Sequence, residues 1–410
     1  MKTIIPMLGA ALALLVSAAS TVSAADVAPT FAKDVAPILY KSCVECHRPT
    51  MFAPMSLVTY QDARPYAQVM KRRVAARQMP PWNADPAIGH FKNDPRLTDK
   101  EVDTIVRWVD GGAPKGDDVD MPTLPAMPEG WTIGKPDAVF AMVEPFTIPA
   151  NGAVDYQYIR IPVNLAEDRW IKAIEIKPGA RAQVHHVIAY TQPSDKPISE
   201  AGVLGPNNIG GVTPNKPGVV FPDGVARLLR GKQDIILQMH YTTNGTQASD
   251  RTEVGIIYAK EPPVKTAAGG LAINPRFVIP PNDGNFEVRA VSMLPQDTLL
   301  TSMTPHMHVR GKDMTYIVHY ADGRSETLLS VPHYDFNWQI TYELAEPLLL
   351  PKGTRLEVIA HYDNSPNNKF NPDPTQAVKW GDQTWEEMMI GFFGTVRDLP
   401  KPGAATGAQQ

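Results

Sequence analysis

Thr304-Pro305-His306-Met307-His308 reads as extended strand. Successive side chains on a strand point to opposite faces, so His306 and His308 project together while Met307 turns away. Two imidazoles on one face are half of a metal site. Taken alone, a His-x-His tripeptide is more often a pair of polar residues on the solvent side of a strand. Its company argues otherwise: the chain has only 10 histidines, and His185-His186 and the His240 of Leu237-Gln238-Met239-His240-Tyr241 also fall in β-like segments.

Outward from that stretch, short apolar or alternating runs recur between Pro and Gly turns. They are Tyr156 to Ile161, Trp170 to Ile176, Val184 to Tyr190, Ile235 to Tyr241 and Val254 to Tyr258. After a proline-rich junction near Pro262 to Pro281 come Met314 to Tyr320, Trp338 to Leu344, Leu356 to Tyr362 and Met388 to Phe393. With 40 Pro, 29 Gly and no long helical periodicity after about residue 112, the pattern predicts two successive antiparallel, jelly-roll-like β-sandwiches, over 136–265 and 280–400. At 410 residues the multidomain chain can bury substantial cores.

A net charge of −4 with no basic stripe excludes nucleic acid as a partner. Lys2, an apolar run from Ile4 to about Val16, and small residues ending Val22-Ser23-Ala24 read as a cleavable export signal over 1–24. The run is shorter than the roughly 20 residues of a membrane span, so a periplasmic or secreted chain without an anchor is expected.

Cys43 and Cys46 are the only cysteines, and His47 completes Cys43-Val44-Glu45-Cys46-His47. A Cys-x-x-Cys-His run attaches one haem c through two thioethers, with the adjacent His as proximal iron ligand. Helical spacing from Phe31 to Tyr40, and a capped amphipathic helix from Leu97 through Gly112, give the motif an all-α domain over 26–114. Arg77-Gln78-Met79-Pro80-Pro81-Trp82 offers Met79 as the distal ligand, stiffened by its prolines; the alternatives are Met51, Met55, Met70 or no protein ligand. This part resembles the small c-type cytochrome domains fused to other periplasmic modules, in which a Met-Pro-Pro-Trp loop carries the axial Met. Residues 115–135, rich in Pro, Gly and Asp, read as a linker.

Neighbouring side chains on a regular strand diverge, so His185 and His186 can serve one ion only if their strand is bent or ends there. His240 would approach from another strand. His306 and His308 need a third ligand, for which Glu386, Glu387 and Met388 are available. A carboxylate would make an iron facial triad, whereas a thioether would select cuprous copper.

His185-His186, then Gln238-Met239-His240-Tyr241, then His306-Met307-His308, then Glu387-Met388 resemble, in order, the motifs of the type II copper, ascorbate-dependent monooxygenases. That family includes peptidylglycine α-hydroxylating monooxygenase and dopamine β-monooxygenase, and the resemblance covers roughly 137–399. It implies two copper ions: an electron-holding one at His185, His186 and His240, and an oxygen-activating one at His306, His308 and Met388. It implies C–H hydroxylation of a small organic substrate with O2, and a periplasmic electron donor or ascorbate-like reductant, here acting through the fused haem. The peptide-hydroxylating members anchor a carboxylate with an Arg two residues before the His-x-His and polar residues two and four beyond the Met; this chain has Thr304, Ile390 and Phe392 there. A buried, unpaired substrate carboxylate is costly, so a neutral, partly apolar substrate is expected. The rival expectations are a copper electron-transfer protein without hydroxylase activity and a non-haem iron oxygenase using Glu387. His90, His319, His333 and His361 read as structural, and Tyr334, Asp335 and Trp338 as possible pocket neighbours.

Overall fold

The computed structural model describes residues 28–399 apart from 50, 52, 127–129, 206 and 213–217. The expected export signal over 1–24 lies outside the described residues. Among these residues no helix is long and apolar enough to cross a membrane. The chain is mostly antiparallel β-sheet preceded by short helices.

Helical turns Phe31–Val35 and Ala36–Ser42, then Tyr60–Ala63, Ala67–Ala75 and Asp99–Asp110 make the N-terminal part. The last starts as its sequence predicts. Thr98 accepts from the Glu101 amide while Glu101 accepts from the Thr98 amide, and Gly111 follows its end. Phe31, Leu39, Ile105 and Trp108 close the small core between these helices.

Among the described residues nine strands form one sheet, with two four-stranded sheets packed against its halves. Its first half orders Ala138–Ala141, Glu253–Tyr258, Arg169–Lys177 and Val225–Leu229, with Gly218–Val220 beside Arg169–Lys177. Against it lie Gln157–Ile161, Gln233–Tyr241, Val184–Pro193 and Asn208–Val212, enclosing Ile174, Val187, Leu237 and Ile256. The second half orders Lys265–Ile273, Ile390–Asp398, Thr298–His306 and Tyr342–Leu350. Phe286–Met293, Arg355–Tyr362, Gly311–His319 and Ser325–Val331 cover it. Arg355–Tyr362 shows why: Leu356, Val358, Ala360 and Tyr362 alternate into the core at 0% exposure while the residues between them face outward.

Several boundaries differ from the sequence reading. The expected junction between 265 and 280 contains Lys265–Ile273, a strand that pairs in parallel with Val225–Leu229 and antiparallel with Ile390–Asp398, so the two sandwiches share one sheet. Its Ala-Ala-Gly-Gly centre hides it from a search for large alternating side chains. A Cβ at Gly270 would stand 2.2 Å from the Phe393 ring, so the strand is small because Phe393 occupies the space. Gly270→Ala is therefore expected to cost about 1–3 kcal/mol by overpacking, read as a lower urea midpoint with unchanged slope. The strand expected at 338–344 is Tyr342–Leu350, and that expected from Met388 begins at Ile390.

The 26–114 segment is also not self-contained. Trp82 and Ala84 are buried in the core of the second sandwich, and Phe91 bridges to Leu344. The Lys92 amide donates to the Glu343 carbonyl at 3.0 Å, and Asn93 Nδ2 to the Thr341 carbonyl at 2.7 Å. The 115–135 linker is already anchored at its far end, where Glu175 accepts from the Thr132 and Ile133 amides.

Candidate functional site

Strand Gln233–Tyr241 is buried on both faces, which period-2 reasoning explains. Ile235, Leu237, Met239 and Tyr241 enter the first core. Gln238 and His240, at 5% and 6% exposure, lie on the other face. Beyond the irregularity between Leu300 and Ser302, Met303 and Met307 likewise enter the second core, leaving Thr304, His306 and His308 on the opposite face. Strand pairing sets His186 beside His240 and Ile188 beside Gln238. In the other sandwich it sets His306 beside Ile390 and Thr304 beside Phe392. Between these faces lies a cavity of about 20 Å³. Tyr156, His186, Gln238, His306, His308 and Met388 line it with an apolar wall of Ile188, Val203, Leu204, Ile390 and Phe392.

His185 and His186 converge because the strand is bulged. Val184 pairs with Tyr241 and His186 with His240, so His185 is the extra residue. Nδ1 of His186 lies 3.1 Å from Nδ1 of His185 and 3.4 Å from Nδ1 of His240. Imidazole nitrogens sharing a tetrahedral ion at about 2.0–2.1 Å stand about 3.3–3.4 Å apart, so the set fits a metal. Burial holds His185 down at about 4 and His240 at about 3, with neighbouring imidazoles adding to the effect, and His186 lies well below its ordinary value for the same reasons. All three are neutral, the ligand form.

His306 and His308 present their other nitrogens. Nδ1 of His306 donates to Gln339 Oε1 at 2.7 Å, and Nδ1 of His308 to the Glu386 carbonyl at 3.2 Å. Each bond fixes a tautomer that leaves Nε2 as the ligand atom. Nε2 of His308 is buried without a hydrogen-bond partner, as a ligand atom would be. Tyr334 pins the chain between the two histidines, donating to the Met307 carbonyl at 2.7 Å and accepting from its amide at 3.1 Å. Of the three candidates for the third ligand, Glu386 accepts from the Gln383 amide at 3.0 Å through its carboxylate. Met388 lines the cavity with both imidazoles. Both Glu387 oxygens accept from backbone amides, of His308 at 2.8 Å and Arg310 at 2.7 Å. Burial pushes the Glu387 carboxyl up to about 8 against those bonds. The donor set left to an ion is two imidazoles and a thioether, which suits copper.

The two histidine sets are neighbours. The Phe336 ring stacks on His185 at 5.4 Å and lies 5.9 Å from His240 and 6.0 Å from His308. Sequence reasoning missed Phe336, Gln339 and Tyr156, whose ring is 4.9 Å from His240; none belongs to a motif. The remaining histidines take structural places: His319 beside Ser325 and Glu357, His361 beside Asp313, and His90 and His333 exposed.

In the helical part Cys43 and Cys46 are free thiols, and the Cys46 and His47 amides both donate to the Cys43 carbonyl. Burial raises the thiols to about 12 and about 11. Nδ1 of His47 donates to the Met55 carbonyl at 3.1 Å, which frees Nε2 for iron. Cys43, Met55 and Met79 pack against the same helical core, so a thioether from outside the His47 loop is at hand. These residues fit a covalently attached haem. The guanidinium of Arg181 acts on Cys46 and on His185, so the Cys-x-x-Cys-His loop lies toward the three-histidine end of the first sandwich.

No family model and no curated protein matches the chain. Among solved structures, the major capsid protein P2 from bacteriophage PM2 is similar over 65% of this chain and 99% of its own, at 9% identity and TM-score 0.25. PNGF-II is similar over 66% of each chain, at 12% identity and TM-score 0.26. Likenesses this distant carry no argument about chemistry.

Proposed function

We propose that this chain is a copper-dependent monooxygenase that hydroxylates a C–H bond of a small, neutral organic substrate, with electrons supplied through a fused c-type haem. In this reading the helical part is a cytochrome c domain, the sandwiches are jelly-roll-like, and the protein works in the periplasm. The observation that carries it is the convergence of two donor sets: His186, one of three clustered imidazoles, lines the same cavity as His306, His308 and Met388. The ordered motif resemblance to the ascorbate-dependent copper monooxygenases supports it.

Copper at these positions would supply one-electron storage at His185, His186 and His240 and dioxygen activation at His306, His308 and Met388. The chain's own residues do the rest. Gln339 and the Glu386 carbonyl orient the two imidazoles, and Glu387 holds the backbone around His308. Ile188, Val203, Leu204, Ile390 and Phe392 exclude water and favour apolar substrate surface. Substrate, O2, two electrons and two protons give hydroxylated product and water.

A second reading, a copper electron-transfer protein, is favoured by the cavity's size, which admits about one water. Loaded wild type should hold two coppers per haem and consume O2 with an organic substrate from a small-molecule panel. Met388→Ala should abolish that uptake while the haem spectrum and the three-histidine copper persist. No uptake by wild type with any substrate would favour the electron-transfer reading, and full turnover in Met388→Ala would remove Met388 from the oxygen-activating set.

A further inference from the structure

Trp82 stands three residues beyond Met79, joined to it by Pro80 and Pro81, and is 6% exposed inside the second sandwich. Its ring meets Tyr342 edge-on at 4.7 Å. Tyr342 pairs in register with Met303, three residues before His306. In the other direction along the chain it lies three residues from Gln339, whose Oε1 accepts from His306 Nδ1 at 2.7 Å. From the Met79 loop to His306 the contacts are thus covalent, ring to ring, covalent again, and one short hydrogen bond. Trp82 carries a cost that packing alone does not explain: its Nε1 is buried without a hydrogen-bond partner, which a phenylalanine would avoid.

We propose that the Trp82–Tyr342 contact is the junction through which electrons pass from the haem loop to the metal set at His306, His308 and Met388, by way of Gln339. The proposal rests on the haem–copper reading above. One electron leaves ferrous haem, which becomes ferric, and one cupric ion becomes cuprous; no bond to the protein breaks and no proton moves. Entry is then at the second set rather than at the three-histidine set, toward which Arg181 offers the competing approach.

The test uses the full chain with haem and copper in place, the haem reduced photochemically without oxygen and its re-oxidation by bound cupric ion followed optically. Trp82→Met and Tyr342→Met, which refill volume without a ring, should each slow re-oxidation about tenfold or more, with haem midpoint potential and copper stoichiometry unchanged. Trp82→Phe keeps a ring but not the more easily oxidised indole, so its rate should fall between those of wild type and Trp82→Met. Wild-type rates in both Met variants, or slowing by Arg181→Ala alone, would overturn the junction and leave the monooxygenase reading standing. Absence of copper-dependent re-oxidation in wild type would overturn both.

Discussion

Glu387→Ala should lose copper at the His306, His308 and Met388 set and unfold at markedly lower urea, while copper at the three-histidine set and the haem spectrum stay as they were. The Glu387 carboxyl group is fully buried, and its two oxygens accept from the amides of His308 and Arg310, which flank Val309. Removing it leaves two buried donors unsatisfied, at about 1–3 kcal/mol each. It also frees the backbone that aims His308, and groups that orient a ligand typically contribute about 10–100-fold to metal affinity. Glu387→Gln keeps one acceptor oxygen and turns an amide group toward the other donor, so its loss should be intermediate. The two quantities to measure are urea unfolding of the metal-free protein and copper bound per haem. Should Glu387→Ala bind two coppers with wild-type affinity, Glu387 does not position His308.

The parts of this molecule that were legible in the sequence depend on neighbours a few residues apart. Cys43 to His47, the Thr98–Glu101 cap and the shared face of His306 and His308 are all local patterns. The bend required of His185 and His186 followed from strand geometry alone, and the bulge supplies it. What stayed hidden depends on partners far along the chain. Glu387 stood beside Met388 as a rival third ligand, and nothing in the sequence reports that its oxygens accept from backbone amides. The Trp82 anchor needs Tyr342, and the Lys265–Ile273 strand needs the Phe393 ring to make sense of its glycines. The nearness of the two sets was invisible for the same reason: Phe336, the ring that touches both, belongs to no motif.

His186→Leu should remove one copper per haem without destabilising the metal-free protein, and that pairing separates a metal centre from an ordinary cluster of core histidines. His186 is the hub: its Nδ1 is within hydrogen-bond distance of Nδ1 on both His185 and His240. Without an ion, a neutral His186 nitrogen either donates once or accepts, so it cannot suit both neighbours equally well, and its 4% exposure keeps water from helping. Replacing a poorly satisfied buried polar group by an apolar one of similar shape is nearly neutral or stabilising. A satisfied structural histidine would behave in the opposite way, its loss costing the protein stability whether or not copper is present. The holoprotein makes the contrast larger. An ion that binds only the folded state at a free concentration of 100 times its dissociation constant adds about 2.7 kcal/mol. Wild type should therefore gain a copper-dependent rise in unfolding temperature from each set, and His186→Leu should lose the increment belonging to the three-histidine set while keeping the other. Thermal unfolding with and without cupric ion, on wild type and variant, reads this directly. Equal copper-dependent increments in the two proteins would show that His186 holds no ion, and a large loss of stability in the metal-free variant would make the cluster structural.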